Sequence, residues 1–234
     1  MTRVVSLVPS VTETLLAWGV EPVAVTRFCE QPGYPTVGGT KNPDVAAIAA
    51  LAPDLVVVDR EENRAEDAAA LAALGVPVLD LHVRSVADVP SEMRRLADAC
   101  GVAVADIDPG PSARPQPRVR AFVPIWRRPW MSIGTATYGS SVLAAIGVDN
   151  VLAGADSPYP TVTLDEVAAL DADVVLAPSE PYEFSERHRA ELEVVAPVRF
   201  VDGKDLFWWG WRTPGALRRL ASAGLADPSG QREG

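Results

Sequence analysis

The sequence contains a diverged copy of itself. Residues 10–25, SVTETLLAWGVEPVAV, align with residues 138–153, YGSSVLAAIGVDNVLA, and place Gly19-Val20 on Gly147-Val148 at an offset of 128 (147 − 19). A second pair, IAALAPDLVVVDRE (48–61) and VAALDADVVLAPSE (167–180), aligns at an offset of 119 (167 − 48). The string YPTV recurs at 34–37 and 159–162. The matches keep their order, so the chain is expected to form two related lobes. Clefts between domains are where ligands bind.

Within each copy, short apolar runs alternate with amphipathic ones, which predicts parallel sheets covered by helices, an α/β fold. Strands are expected at Val4–Val8, Val23–Thr26, Leu55–Asp59 and Val76–Leu81 in the first copy. In the second they are expected at Val119–Ile125, Val174–Ala177 and Val198–Asp202. Ser10-x-x-Glu13 reads as a capping box opening a helix over 11–18 that Gly19 closes, and Thr163-x-x-Glu166 reads as another, opening a helix over 164–170. Further helices are expected over 44–51, 64–74, 86–99, 140–146, 185–193 and 214–223. The Pro-rich stretch DIDPGPSARPQP (106–117) predicts an extended linker. The expected organisation is an N-terminal lobe over 1–85, a bridging helix and linker over 86–117, a C-terminal lobe over 118–226 and a tail over 227–234.

Composition narrows the function. Of 234 residues, 48% are hydrophobic, enough for a real core. The net charge of −10 argues against nucleic acid and against anionic membrane surfaces as partners. Cys29 and Cys100 have neither metal-ligand nor redox spacing. No GxGxxG, GxxxxGK[ST] or GxSxG motif is present, and Ser10 is accounted for as a helix cap, so no catalytic constellation emerges and no enzyme is expected. The first residues, MTRVVSLVPS, lack the apolar core of a signal peptide, and no apolar run is long enough to span a bilayer. A cytoplasmic monomer is the expectation for the chain as written, with an extracytoplasmic location if a leader has been removed.

Three sets of residues carry chemistry. Five of the six tryptophans follow residue 125. They gather in Trp126-Arg-Arg-Pro-Trp130 and Phe207-Trp-Trp-Gly-Trp-Arg212, each just past a strand, at the edge where open α/β sheets bind ligands. Together they favour a large, flat, partly apolar ligand, with Arg127, Arg128 and Arg212 available for its polar groups. Glu61 and Glu180 occupy equivalent positions beyond equivalent strands, with Glu62 and Glu66 beside the first and Glu183 beside the second, as a symmetric docking surface requires. His82 and His188 have no partner at metal-ligand spacing, and no metal site is expected.

The strings RVVSLVPSVTETLLAWG, VGGTKNPDVAAIAALAPDLVVVDREEN and LAALGVPVLDL resemble the helical-backbone solute-binding proteins of ABC importers. The second half follows through IWRRPWMSIGTATYGSSVLAAIG, VVLAPSEPYEF and DGKDLFWWGWRTPGAL. The resemblance runs from residue 3 to about 224 and is strongest to the vitamin B12-binding group, which shares a superfamily with haem and ferric-siderophore receptors. It implies two α/β lobes bridged by a backbone helix, here shortened, with the ligand between them. No cofactor is required, and the implied ligand is cobalamin, with haem or a ferric siderophore as alternatives. A cytoplasmic corrinoid carrier, regulator or enzyme on the same scaffold is the remaining alternative. Carried onto this sequence, the resemblance implies Cys29, Tyr34, Trp126, Trp130, Tyr138, Trp208 and Trp209 as ligand contacts. Glu62 or Glu66, with Glu180, are the implied contacts to the membrane permease.

Overall fold

A computed structural model describes residues 2–105, 108 and 119–225. The chain forms two compact units. The first takes the described residues up to Val83, those of 87–108, and Trp209–Arg212; the second takes Arg84–Val86 and the remainder. Most of the expected linker and the whole expected tail lie outside the described residues.

In the first unit the order is β1 (Val4–Ser6), α1 (Pro9–Ala17), β2 (Ala24–Val25), β3 (Gly38–Gly39), β4 (Asn42–Pro43), α2 (Val45–Ala50), β5 (Leu55–Asp59), α3 (Ala65–Ala73), β6 (Val78–Leu81) and α4 (Val89–Cys100). Strands β2-β1-β5-β6 form one parallel sheet, and β3 and β4 pair as a small antiparallel hairpin. All five residues of β5 are buried, because helices cover both sheet faces. Val5, Val56 and Val58 pack with Ile48 of α2 and Leu71 of α3. Helix α4 buries Val89, Met93, Leu96, Ala97 and Cys100, a single stripe at helical spacing, and Gly101 ends it in the left-handed conformation at φ 68°. At 12 residues it is roughly 18 Å long.

The second unit continues with β7 (Val119–Phe122), β8 (Pro124–Trp126), β9 (Trp130–Ser132), α5 (Tyr138–Ala145), β10 (Val148–Asn150), β11 (Thr161–Val162), α6 (Leu164–Ala168), β12 (Val174–Pro178), α7 (Arg189–Leu192), β13 (Val198–Val201), α8 (Gly203–Phe207) and α9 (Thr213–Ser222). Its parallel sheet runs β10-β7-β12-β13, the order of the first sheet with each strand replaced by its repeat partner. Gly19 and Gly147, aligned in the sequence, both follow the first helix of their unit in the left-handed conformation, at φ 73° and 80°. Strand β12 is buried throughout, as β5 is.

The structure corrects three expectations. Helix α1 begins at Pro9, one residue before the proposed cap, with Val8 as N-cap and no side-chain capping bond. Proline is suited to the first turn because it lacks the N–H that would stay unbonded there. The Ser10 hydroxyl is buried without a partner, and Glu13 is engaged elsewhere. The strand expected over 119–125 stops at Phe122; Pro124 starts a second strand that folds back on β9 as an antiparallel hairpin, which the short β11 extends. The helix expected over 185–193 is a 3-10 turn, Glu186–His188, followed by the one-turn α7. The capping box at Thr163 and Glu166 forms as expected.

Candidate functional site

All strands of a parallel sheet end on one edge, and ligands bind beyond that edge. In the first unit the edge carries the start of α1, the loop after β2, the acidic turn after β5 and His82 after β6. Segment Trp209–Arg212 packs onto α1. Arg212 donates from Nη2 and Nε to the two oxygens of Glu13 at 2.6 and 3.0 Å. The Trp211 amide donates to Thr14 Oγ1 at 3.1 Å, and that hydroxyl donates to the Ser10 carbonyl. Gly210 lies at φ 117° against Thr14, where a side chain has no room. This fastening turns Trp211 outward, 56% exposed, and leaves Trp209 at 4%. Phe28, after β2, is also half exposed, with the Arg27 guanidinium 5.0 Å from its ring centre.

The next residue, Cys29, turns inward. Its sulfur lies 3.1 Å from Thr12 Oγ1 and 3.4 Å from Thr26 Oγ1. Tyr34 is half-buried in the turn before β3.

The turn after β5 is built on Asp59 and Asn63. The Glu61 amide donates to Asp59 Oδ1 at 2.8 Å, and the Glu62 and Asn63 amides donate to the Asp59 carbonyl. Asn63 Oδ1 accepts from the Asp59 amide, while its Nδ2 donates to the carbonyls of Thr40 and Leu7. Asp59 is 1% exposed, its Oδ2 has no hydrogen-bond partner, and burial pushes its carboxyl up to about 6. Lys41 Nζ reaches the Glu61 carbonyl, and His82 Nε2 lies 3.5 Å from Glu61 Oε1. Glu62 is half-buried in this turn, and Glu66 is exposed on the first turn of α3.

In the second unit the corresponding edge carries the β8–β9 hairpin and the segment after β12. Trp126 and Trp130 stand at the two ends of the hairpin turn and join an aromatic cluster. Trp126 meets Tyr182 edge-on at 5.6 Å, Trp130 stacks on Phe184 at 6.0 Å, and His188 packs edge-on against Tyr182 and Phe184. Trp126 remains 46% exposed. Arg127 is tied to Glu191 at 2.8 Å, and Arg128 is exposed at the hairpin tip. His188 is buried and accepts from the Ser185 amide at Nδ1; burial and the nearby Arg187 and Arg127 hold its pKa below the usual value.

Glu180 follows β12 by two residues, as Glu61 follows β5. Gly203 lies against it: a Cβ there would sit 2.6 Å from the Glu180 backbone nitrogen and oxygen. Tyr138 is buried, its hydroxyl 2.9 Å from Thr213 Oγ1, and burial raises its phenol above the ordinary range. Trp208 is buried beneath Lys204, whose Nζ is 4.9 Å from the ring centre.

Of the tryptophans expected to meet ligand, Trp126 presents much of its surface, Trp130 is half-buried, and Trp208 and Trp209 are interior. Sequence reasoning missed Trp211, Phe28, Asp59 and Asn63. Trp211 stood in the same aromatic string as its buried neighbours. The left-handed Gly210 between them, with the bonds of Trp211 and Arg212 to Thr14 and Glu13, separates inward from outward rings.

Residues 4–106 match the periplasmic binding protein family. A vitamin B12-binding protein of Pectobacterium carotovorum is 24% identical over 201 residues, spanning 76% of this chain and 72% of the relative. The periplasmic vitamin B12-binding protein BtuF of Vibrio cholerae superposes with a TM-score of 0.75 at 21% identity, over 94% of this chain and 95% of that one. A periplasmic heme-binding protein of Pseudomonas aeruginosa gives 0.77 at 22%, over 97% and 93%.

The sequence repeat and the sheet order accord with the fold of these solved structures, and the family match covers residues 4–106, fewer than half of the chain. The chain is similar in sequence to vitamin B12-binding proteins and, in fold, to B12- and heme-binding proteins alike.

Proposed function

We propose that this chain captures a corrinoid, cobalamin first among them, as the substrate-binding component of an ABC import system acting outside the cytoplasmic membrane, and that it catalyses no reaction on its ligand. The observation that carries the reading is sequence similarity to vitamin B12-binding proteins across three quarters of the chain. It is supported by exposed aromatic rings at the ligand edge of each sheet, Phe28 and Trp211 in one unit and Trp126 in the other. Such rings stack on a conjugated macrocycle. Cys29, Tyr138, Trp208 and Trp209 then shape the walls, while Tyr34 and Trp130 supply partial contacts. Glu180 and either Glu62 or Glu66 contact the permease.

The second reading is haem, favoured by the heme-binding neighbours of equal structural similarity. Calorimetric titration with cyanocobalamin, with hemin in parallel, separates the two. Saturable one-to-one binding of cyanocobalamin alone supports the corrinoid. Binding of hemin alone transfers the role to haem, and a folded sample that binds neither rejects both. Charge reversal at Glu62, Glu66 and Glu180 together is expected to abolish permease binding and leave ligand affinity unchanged; intact permease binding rejects the docking assignment.

A further inference from the structure

We infer that Asp59 makes the acidic turn 60–63 a pH-responsive element of the first unit, because its carboxylate, buried under the turn with one oxygen unpartnered, favours conformations in which the turn lifts and water or a cationic group reaches that oxygen. The geometry supplies the driving force. The backbone N–H groups of Glu61, Val83 and Glu62 face the carboxylate, yet Oδ2 has no hydrogen-bond partner and is shut off from water, so its charge is held at a cost that hydration relieves. The turn above it is fastened by a few bonds: Glu61 N–H to Asp59 Oδ1, Glu62 and Asn63 N–H to the Asp59 carbonyl, and the Asn63 amide to Thr40 and Leu7.

The charged groups around Asp59 are Glu61 and Glu62 of its own turn, Arg60 with its partner Asp80, Lys41 of the β3–β4 hairpin at the Glu61 carbonyl, and His82 beyond β6 against the Glu61 carboxylate. Glu61 is an acid, so its charge adds to the cost of ionising Asp59. Three carboxylates therefore share a short stretch, the innermost of them with an open acceptor. A cationic group from a partner would relieve the whole set.

Linkage fixes the sign. Burial pushes the Asp59 carboxyl from 3.8 to about 6 in the closed turn, and hydration in the open turn returns it towards 3.8. The closed state therefore holds its proton more tightly, and opening becomes easier as pH rises through this window. The turn is closed most firmly in mild acid and is most easily remodelled at neutral pH.

The inference rests on the docking reading only for its biological use, and its test uses the free protein. Amide hydrogen exchange at Glu61, Glu62 and Asn63, corrected for intrinsic rates in the regime where exchange reports the opening equilibrium, is measured at pH 5 and 7.5. The opening constant of the wild type is expected to rise roughly tenfold between these values, and that of Asp59→Asn to stay flat. A flat wild-type profile, or an equal rise in Asp59→Asn, overturns the inference. Should the variant fail to fold, carbon-detected titration of the wild-type Asp59 carboxyl decides: a midpoint near 6 supports the inference, and one near 4 overturns it. If charge reversal leaves permease binding intact while the turn opens as described, the docking reading falls and the inference stands.

Discussion

Glu13 and Arg212, 199 residues apart in sequence, form a bidentate ion pair at 2.6 and 3.0 Å, with both side chains about four-fifths buried. Two parallel charge-assisted bonds in a partly dry setting fix orientation as well as contributing energy. The pair holds Trp209–Arg212 against α1 and so decides which tryptophan faces outward.

Arg212→Ala is therefore expected to destabilise the protein by about 1–3 kcal/mol, since it leaves the Glu13 carboxylate partly buried and unpaired. The exposed Arg60–Asp80 pair sets the comparison: solvent screens it, and its removal is expected to leave the urea midpoint almost unchanged. Urea denaturation of both variants, with a double-mutant cycle at Glu13 and Arg212, tests this. Additive losses at the two positions would deny the coupling.

Gly203→Ala is expected to cost about 1–3 kcal/mol, because the new methyl group meets the Glu180 main chain, which has little freedom to retreat. The same substitution should displace Glu180 and weaken permease binding without touching ligand affinity. An unaltered melting curve would show that the segment after β12 yields easily.

Trp209 and Trp211 should separate cleanly. Trp209→Ala removes a ring 4% exposed and is expected to cost roughly 3–5 kcal/mol of stability. Trp211→Ala should leave stability within about 0.5 kcal/mol and weaken the ligand by about 1–3 kcal/mol through lost stacking. Calorimetric titration and chemical denaturation on both variants give the two readings. Equal ligand affinity for Trp211→Ala and the wild type would remove that ring from the binding surface.

Two of the buried titratable groups, Asp59 and His188, predict opposite pH slopes. Asp59 is raised to about 6, so the stability it contributes is fully present below about pH 4 and is lost as pH rises through 6. Asp59→Asn is expected to be more stable than wild type at pH 7.5 by about 1–3 kcal/mol. The pKa of His188 is lowered, so its contribution is lost as pH falls below the usual histidine range, and His188→Gln should flatten that acid limb. Denaturation midpoints from pH 4 to 8 distinguish them; slopes of the same sign would contradict one assignment.

Much of the fold was legible because its signals are local. Buried strands such as Leu55–Asp59 and Val174–Pro178 stand out as runs of branched apolar residues, and Gly19, Gly101 and Gly147 mark helix ends that require a left-handed residue. Ser10 misled because a capping box is a pattern of residue types, and Pro9 one position earlier competes for the same helix start. The β8–β9 hairpin stayed hidden because the apolar run Val119–Ile125 reads as one strand straight through Pro124, which is in fact the first residue of the next strand. In the site, aromatic content was legible but exposure was not. Whether Trp208, Trp209 or Trp211 faces outward depends on Glu13 and Thr14, almost two hundred residues away. Asp59 read as the last residue of a strand, and nothing in its immediate neighbours announces that water is excluded from it.

The placement of Trp209–Arg212 also bears on how the protein is made. The first unit draws four of its residues from Trp209–Arg212, so during synthesis it stays incomplete until residue 212 has emerged from the ribosome. Until then α1 carries a Glu13 carboxylate without its guanidinium and a Thr14 hydroxyl without the Trp211 amide. An N-terminal fragment ending before Trp209 would carry that same unfinished face for its whole lifetime, which makes separate expression of the first half a poor substitute for a chain that includes Trp209–Arg212.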